Sequence, residues 1–133
     1  VNWCLTGSQH TYDAKSMFKP MIPWYHNRIQ FGKNTISSPS VLAYRKSKAP
    51  RFDEELIWLM DVDFYKRCGD LWGPPAIIQD LLAVNRLHKG QVSAGMERSH
   101  IRQELRYVRN KYVDQMNLSD WLHYIGRIRK TWL

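Results

Sequence analysis

Asp61 and Asp63 stand two residues apart, directly behind the apolar run Leu56–Met60. Carboxylates at i and i+2 do not share a helix face, but at a strand end or in a loop both can approach a metal ion. Phe64, Cys68 and Leu71 follow at helical spacing and predict a helix over about Asp61–Trp72, ended by Gly73-Pro74-Pro75. Asp61 would open that helix, six residues ahead of Arg67. The positive end of the helix dipole favours an ionised carboxylate there, and an ionised Asp61 can accept a proton at neutral pH. The plainer alternative is that Asp61 only caps the helix and Asp63 is solvated.

Three other segments carry chemistry-bearing residues. Arg86-Leu87-His88 closes a strand-like run before a Lys89-Gly90 turn. A histidine so placed can hold a metal or a phosphate, or serve structure alone. Asn34-Thr35-Ile36-Ser37-Ser38-Pro39-Ser40 offers amide and hydroxyl groups for a hydroxyl-rich or phosphate ligand, or for a turn and a strand cap. The last third combines Arg98, Arg102, Arg106, Arg109, Lys111, Arg127, Arg129 and Lys130 with Trp121, Tyr124 and Trp132. That pattern suits an interfacial membrane helix or a solvated basic face over a packed apolar one; packing of Trp121, Leu122, Ile125 and Trp132 is the expectation.

The elements that must position these residues are short and mixed. Residues 1–34 read as irregular, with a short helix from Trp24 to Phe31 stopped by Gly32. Ser40–Arg45 has strand composition, and Ala76–Ile78 and Leu81–Leu87 read as two strands joined at Gln79-Asp80. Ile101, Leu105, Val108 and Tyr112 form one apolar helix face over about 97–114. Ser119 is the expected N-cap of a final helix over about 119–131, carrying Leu122, Ile125, Ile128 and Trp132. Strands and helices together predict an α/β class: a short mixed sheet with C-terminal helices.

Composition removes several classes. The 133 residues are 44% hydrophobic and 13% aromatic, which excludes a disordered chain. No apolar run approaches the ~20 residues of a membrane span. Cys4 and Cys68 are too few for a disulfide scaffold and lack zinc spacing, and they fit a reducing compartment. The net charge of +8 points to a polyanion, an acidic membrane surface or a phosphorylated substrate. Val1 begins the chain with no signal peptide, so a cut or a fragment is expected.

The order of these pieces resembles the C-terminal half of family 2 glycosyltransferases. The residues that carry it are Asn34, Ser38 and Ser40, Tyr44-Arg45, Phe52-Asp53-Glu54 with Leu56, Asp61 with Arg67, Gly73 with Pro75, and Arg86, His88 and Ser93. The match runs from about Trp3 to Ser93. It implies a partial GT-A fold, with 1–95 the acceptor-side half and 96–133 a C-terminal helical extension. The family moves a sugar from a nucleotide-diphosphate donor to an acceptor hydroxyl, and in inverting members a carboxylate deprotonates that hydroxyl. The resemblance implies Asp61 as that base; Asn34, Ser38, Ser40, Arg67 and Arg86 as substrate-binding residues; and His88 as the metal ligand, for manganese or magnesium. Where the family usually has Glu before the base, this chain has Met60. An alternative use of Asp61-Val62-Asp63 is the family's early metal motif, but its place after Ser38-Pro39-Ser40 favours the base.

The fragment alone is expected to be inactive, since the donor-binding half lies outside it. A cytoplasmic location with peripheral membrane contact is the matching expectation. The competing class is a basic module for nucleic acid or a membrane surface. The pI near 9.7 permits nucleic acid, but no helix-turn-helix, zinc or RNP-like signature supports it.

Overall fold

Trp3, Leu5, Gly7, Ser8 and Thr11 are buried along one extended segment, which is the centre of the fold. The computed structural model describes residues 1–133. In it β1 (Trp3–Thr11) pairs antiparallel with β2 (Phe18–Met21) and β3 (Leu42–Tyr44), and parallel with β4 (Ala76–Arg86). The first segment is therefore the central strand rather than irregular. Its burial alternates only over Trp3–Gly7, and the buried residues that follow are small or polar, Gly7, Ser8 and Thr11, so no apolar alternation marks the strand in the sequence.

Ala76–Arg86 is one strand, not two. Its register against β1 jumps from Thr6↔Ile78 to Gly7↔Leu81, so Gln79 and Asp80 bulge out without ending the strand. Gly7 sits at the jump because a Cβ there would lie 2.8 Å from both Ile22 and Leu81. No helix forms over Trp24–Phe31, which makes turns instead. Ile29, Gln30 and Phe31 are all buried there, a run that no single helix face could present.

The helices are α1 (Met60–Trp72), α2 (Val92–Gly95), α3 (Arg98–Lys111) and α4 (Leu118–Lys130). Phe64, Tyr65 and Cys68 of α1 join Leu5, Ile29, Ile36 and Val41 in one cluster of 16 buried apolar residues. Leu105 and Val108 of α3, and Tyr112 just after it, belong to the same cluster, so 96–133 closes the core of 1–95. A Cβ on Gly69 of α1 would overlap the Tyr25 ring, which packs edge-on against Trp3 at 5.3 Å. The Gly73 carbonyl beyond α1 accepts from Trp3 Nε1 at 2.9 Å and ties the helix end to β1.

Asn117, not Ser119, caps α4. Its side chain accepts from the Asp120 amide at 3.0 Å, and the Asp120 carboxylate accepts from the Asn117 amide at 2.8 Å. Asp120 also pairs with Arg28, fixing α4 to the turn region after β2.

Ala43 and Tyr44 are exposed on β3. Ser40 lies in a 3-10 turn (Pro39–Val41), ahead of the strand it was assigned to, and Tyr44 leans on Phe64 at 5.2 Å. Exposed Ile78, Leu81, Leu82 and Val84 form the larger patch, on β4, whose outer edge has no partner strand.

Candidate functional site

Asp61 is the second residue of α1, and two hydrogen-bond donors and its burial decide its chemistry. Asn34 Nδ2 donates to its Oδ2 at 3.1 Å, and the Val62 amide donates to its Oδ1 at 2.8 Å. Burial outweighs both and lifts its pKa to about 6. The sequence places the dipole effect in control of this group; the structure shows desolvation in control. At pH 7 the carboxylate is ionised yet basic, the state a general base needs.

Asn34 organises the loop around Asp61. Its Oδ1 accepts from the Ile36 and Ser37 amides at 2.9 and 3.2 Å, and its Nδ2 also donates to the Ser37 carbonyl at 3.0 Å. Ser37 is held at φ 89, an uncommon conformation for a residue with a side chain. Asn85 of β4 pins the same loop: its Nδ2 donates to Ser37 Oγ at 3.3 Å and its Oδ1 accepts from Ser38 Oγ at 2.7 Å. On the other side, the buried Glu104 of α3 accepts from the Ile57, Trp58 and Leu59 amides at 2.8–3.1 Å. Those amides precede α1, so Glu104 fixes the entry of the helix that carries Asp61.

Between these anchors lies a cleft of about 620 Å³. Asn34, Ser38, Asp61 and Ser93 line it. Trp58, Lys33, Arg98, Arg127 and Lys130 line it as well, and no motif singled them out for this place. Trp58 sits three residues before Asp61 inside an apolar run, where it reads as core; the Arg127 guanidinium lies 5.4 Å from its ring centroid.

The remaining expected site residues lie elsewhere. Ser40 is exposed and outside the cleft. Arg67 donates to Asp63 and to the Arg51 carbonyl, at 2.8 and 2.6 Å, away from Asp61. Arg86 is exposed at the end of β4. His88 is exposed and borders a neighbouring groove that shares Trp58 and Ser93 with the cleft; its Nδ1 accepts from the Gly90 amide at 3.2 Å. No group of three or more His, Cys, Asp or Glu side chains is arranged to hold a metal ion. The residues present therefore do not assemble a metal site around His88.

Asp63 is not solvated. It is completely buried, and Tyr112 Oη, Lys111 Nζ and Arg67 Nε donate to it at 2.6, 2.9 and 2.8 Å. Burial alone would push Lys111 down, but its bonds to Asp53 and Asp63 hold its pKa above the ordinary lysine value. With both oxygens occupied, Asp63 cannot join Asp61 around a metal, which removes the metal-motif alternative. Asp53 of the Phe52-Asp53-Glu54 segment serves the same network, accepting from Lys111 at 2.5 Å and Tyr107 at 3.0 Å.

One expected result follows for Asn34. It is a positioning residue, and its hydrogen bond favours the ionised form of Asp61. Asn34→Ala should raise the Asp61 pKa above about 6, read as an upward move of the carboxyl titration by NMR. An unmoved titration would show that Asn34 shapes only the loop.

No family model matches the chain, and no curated protein or solved structure does.

Proposed function

We propose that the chain is the acceptor-side half of an inverting glycosyltransferase of GT-A type, with Asp61 as the base that deprotonates the acceptor hydroxyl. The observation that carries this reading is Asp61 itself: a carboxylate with a pKa near 6, aimed into a cleft and oriented by an asparagine. Asn34, Ser38 and Ser93 border the same cleft. The Trp58 ring offers an apolar face on which a sugar ring can rest.

In this reading the acceptor enters beside Trp58 and places its hydroxyl at Asp61. Asp61 takes the proton as the hydroxyl oxygen attacks the anomeric carbon, and the nucleoside diphosphate leaves. Donor binding comes from a further half that covers the open edge and apolar face of β4. A divalent manganese or magnesium ion would need ligands beyond His88, which belongs to no group of three or more His, Cys, Asp or Glu side chains. The test is a nucleotide-sugar panel assayed for transfer and donor hydrolysis with the full-length protein that contains this chain. Transfer with inversion supports the reading; absence of transfer and of hydrolysis across the panel removes it.

A second, compatible reading concerns α4. Leu122 and Ile125 are 63% and 50% exposed and Trp132 is 66% exposed, so the expected packing does not occur for these three, whereas Trp121 is half-buried edge-on to Tyr124. Leu118, Leu122 and Ile125 recur at spacings of four and three along one open face. Arg129 and Lys130 stand at its end. No helix is long and apolar enough to cross a membrane. The face suits peripheral contact with an anionic lipid surface. Vesicles containing phosphatidylserine should co-sediment with the chain at low salt and release it at high salt, and Leu122→Ser with Ile125→Ser should weaken the contact several-fold. Equal recovery with neutral vesicles would remove the electrostatic part of the claim.

A further inference from the structure

The cleft around Asp61 is electrostatically unbalanced. Lys33, Arg98, Arg127 and Lys130 border it against the single carboxylate of Asp61. Asp61 bonds Asn34 and Val62 rather than any of these cations. Elsewhere Lys66 pairs with Asp70, Arg67 with Asp63, and Lys111 with Asp53 and Asp63. Arg102 and Arg109 are half-buried without a salt bridge, over Trp132 and over Trp121 and Tyr124, but they lie outside the cleft. Arg127 is the half-buried arginine without a carboxylate partner that borders it. It is half-buried, its guanidinium lies over Trp58 at 5.4 Å, and it makes no salt bridge. Burial without a counter-ion pulls its pKa below the ordinary arginine value. A cation so held is costly unless an anion completes it.

Resting on the reading of Asp61 as the base, we propose that the acceptor is a phosphorylated sugar whose phosphate or diphosphate is held by Arg127, Lys130 and Arg98. The sugar ring would lie against Trp58, with the reacting hydroxyl at Asp61 and the phosphate toward α3 and α4. A phosphate fits better than a carboxylate. Its three oxygens can take bonds from guanidinium and ammonium groups arriving from two helices at once. The donor's diphosphate is the other source of the same chemistry, and the two are separable by experiment.

The chain would be titrated by calorimetry with glucose 1-phosphate, inorganic pyrophosphate, glucose and UDP. Glucose 1-phosphate and pyrophosphate should bind, with glucose at least ~10-fold weaker than its phosphate. Arg98→Gln and Lys130→Gln remove charge from exposed positions and leave the core untouched; together they should weaken glucose 1-phosphate ~10-fold or more, as should Arg127→Gln. UDP should be little affected. Asp61→Asn should leave phosphate binding intact or tighten it, since a like charge is removed, so loss of the base reading and loss of the anion site would be told apart. The proposal is overturned if glucose binds as well as its phosphate, or if the three substitutions leave glucose 1-phosphate affinity at the parent value. It is overturned too if UDP binds more tightly than glucose 1-phosphate and loses affinity with the same substitutions, because the cations would then serve the donor.

Discussion

Asp61→Asn in the full-length enzyme should cut sugar transfer about 100- to 10,000-fold while donor affinity stays near the parent value. The range is the usual contribution of a positioned general base. Asparagine keeps the size of the side chain, and its single carbonyl oxygen can still accept from the Val62 amide; its amide nitrogen then replaces the oxygen that accepts from Asn34, so only that bond is lost. Asparagine cannot take a proton. The parent rate should fall about tenfold per pH unit below about pH 6, where Asp61 becomes protonated, and this acid limb should disappear from the residual activity of the variant.

Stability should move in the opposite direction. The folded pKa of Asp61 is raised from 3.8 to about 6 by burial. Between those values the folded chain binds more protons than the unfolded one, so stability is greatest at low pH and is lost as pH rises through about 6. At pH 7 the ionised carboxylate is therefore a cost that asparagine does not carry. Asp61→Asn should unfold at higher urea concentration than the parent at pH 7, and at nearly the same concentration at pH 4. A group that lowers stability and raises a rate is the trade expected of a functional residue. Transfer at the parent rate would sink the base assignment; an unchanged urea midpoint at pH 7 would sink the account of its pKa.

The parts of this fold that were legible in the sequence are those whose apolar residues repeat. α1 and α3 begin and end within a few residues of the spans that Phe64, Cys68 and Leu71, and Leu105, Val108 and Tyr112, imply. β1 was not legible, because of its buried residues only Trp3 and Leu5 are large and apolar, while Gly7, Ser8 and Thr11 are small or polar. β4 read as two strands because a bulge and a turn share the same polar residues, here Gln79 and Asp80.

At the cleft, Asp61, Asn34, Ser38 and Ser93 were singled out by order along the chain, and folding brings them together. Trp58, Arg127 and Lys130 were not, since a tryptophan in an apolar run and arginines on a basic helix have ordinary structural uses. Trp58 is Asp61's neighbour along the chain, and the fold brings Arg127 of α4 over its ring and Lys130 to the same cleft. The exposed Leu122 and Ile125 illustrate the converse. An apolar stripe in sequence states that a face wants cover, but not whether this chain supplies it.

Asp63→Asn should be the most destabilising single polar change in the chain, although it lies two residues from the proposed base. From the sequence it reads either as a partner of Asp61 at a metal ion or as a solvated neighbour. In the fold it is completely buried, with Arg67 and Lys111 as charged donors and Tyr112 as a short neutral one. Removing one member of a buried charged network leaves the others unpaired and costs about 3–5 kcal/mol. For a domain of this size that lowers the melting temperature by roughly 10 °C or more. Lys111 suffers least, since it keeps Asp53 at 2.5 Å; Arg67 keeps only the Arg51 carbonyl. Tyr112→Phe, which removes one neutral donor to a charged acceptor, should cost about 1.5–3 kcal/mol. Because the two side chains share one bond, the double variant should cost clearly less than the sum of the singles. Urea unfolding of the four proteins gives the cycle directly. If Asp63→Asn stays within 0.5 kcal/mol of the parent while abolishing a metal-dependent activity, Asp63 is a ligand and not a strut, and the division of labour between the two aspartates is wrong.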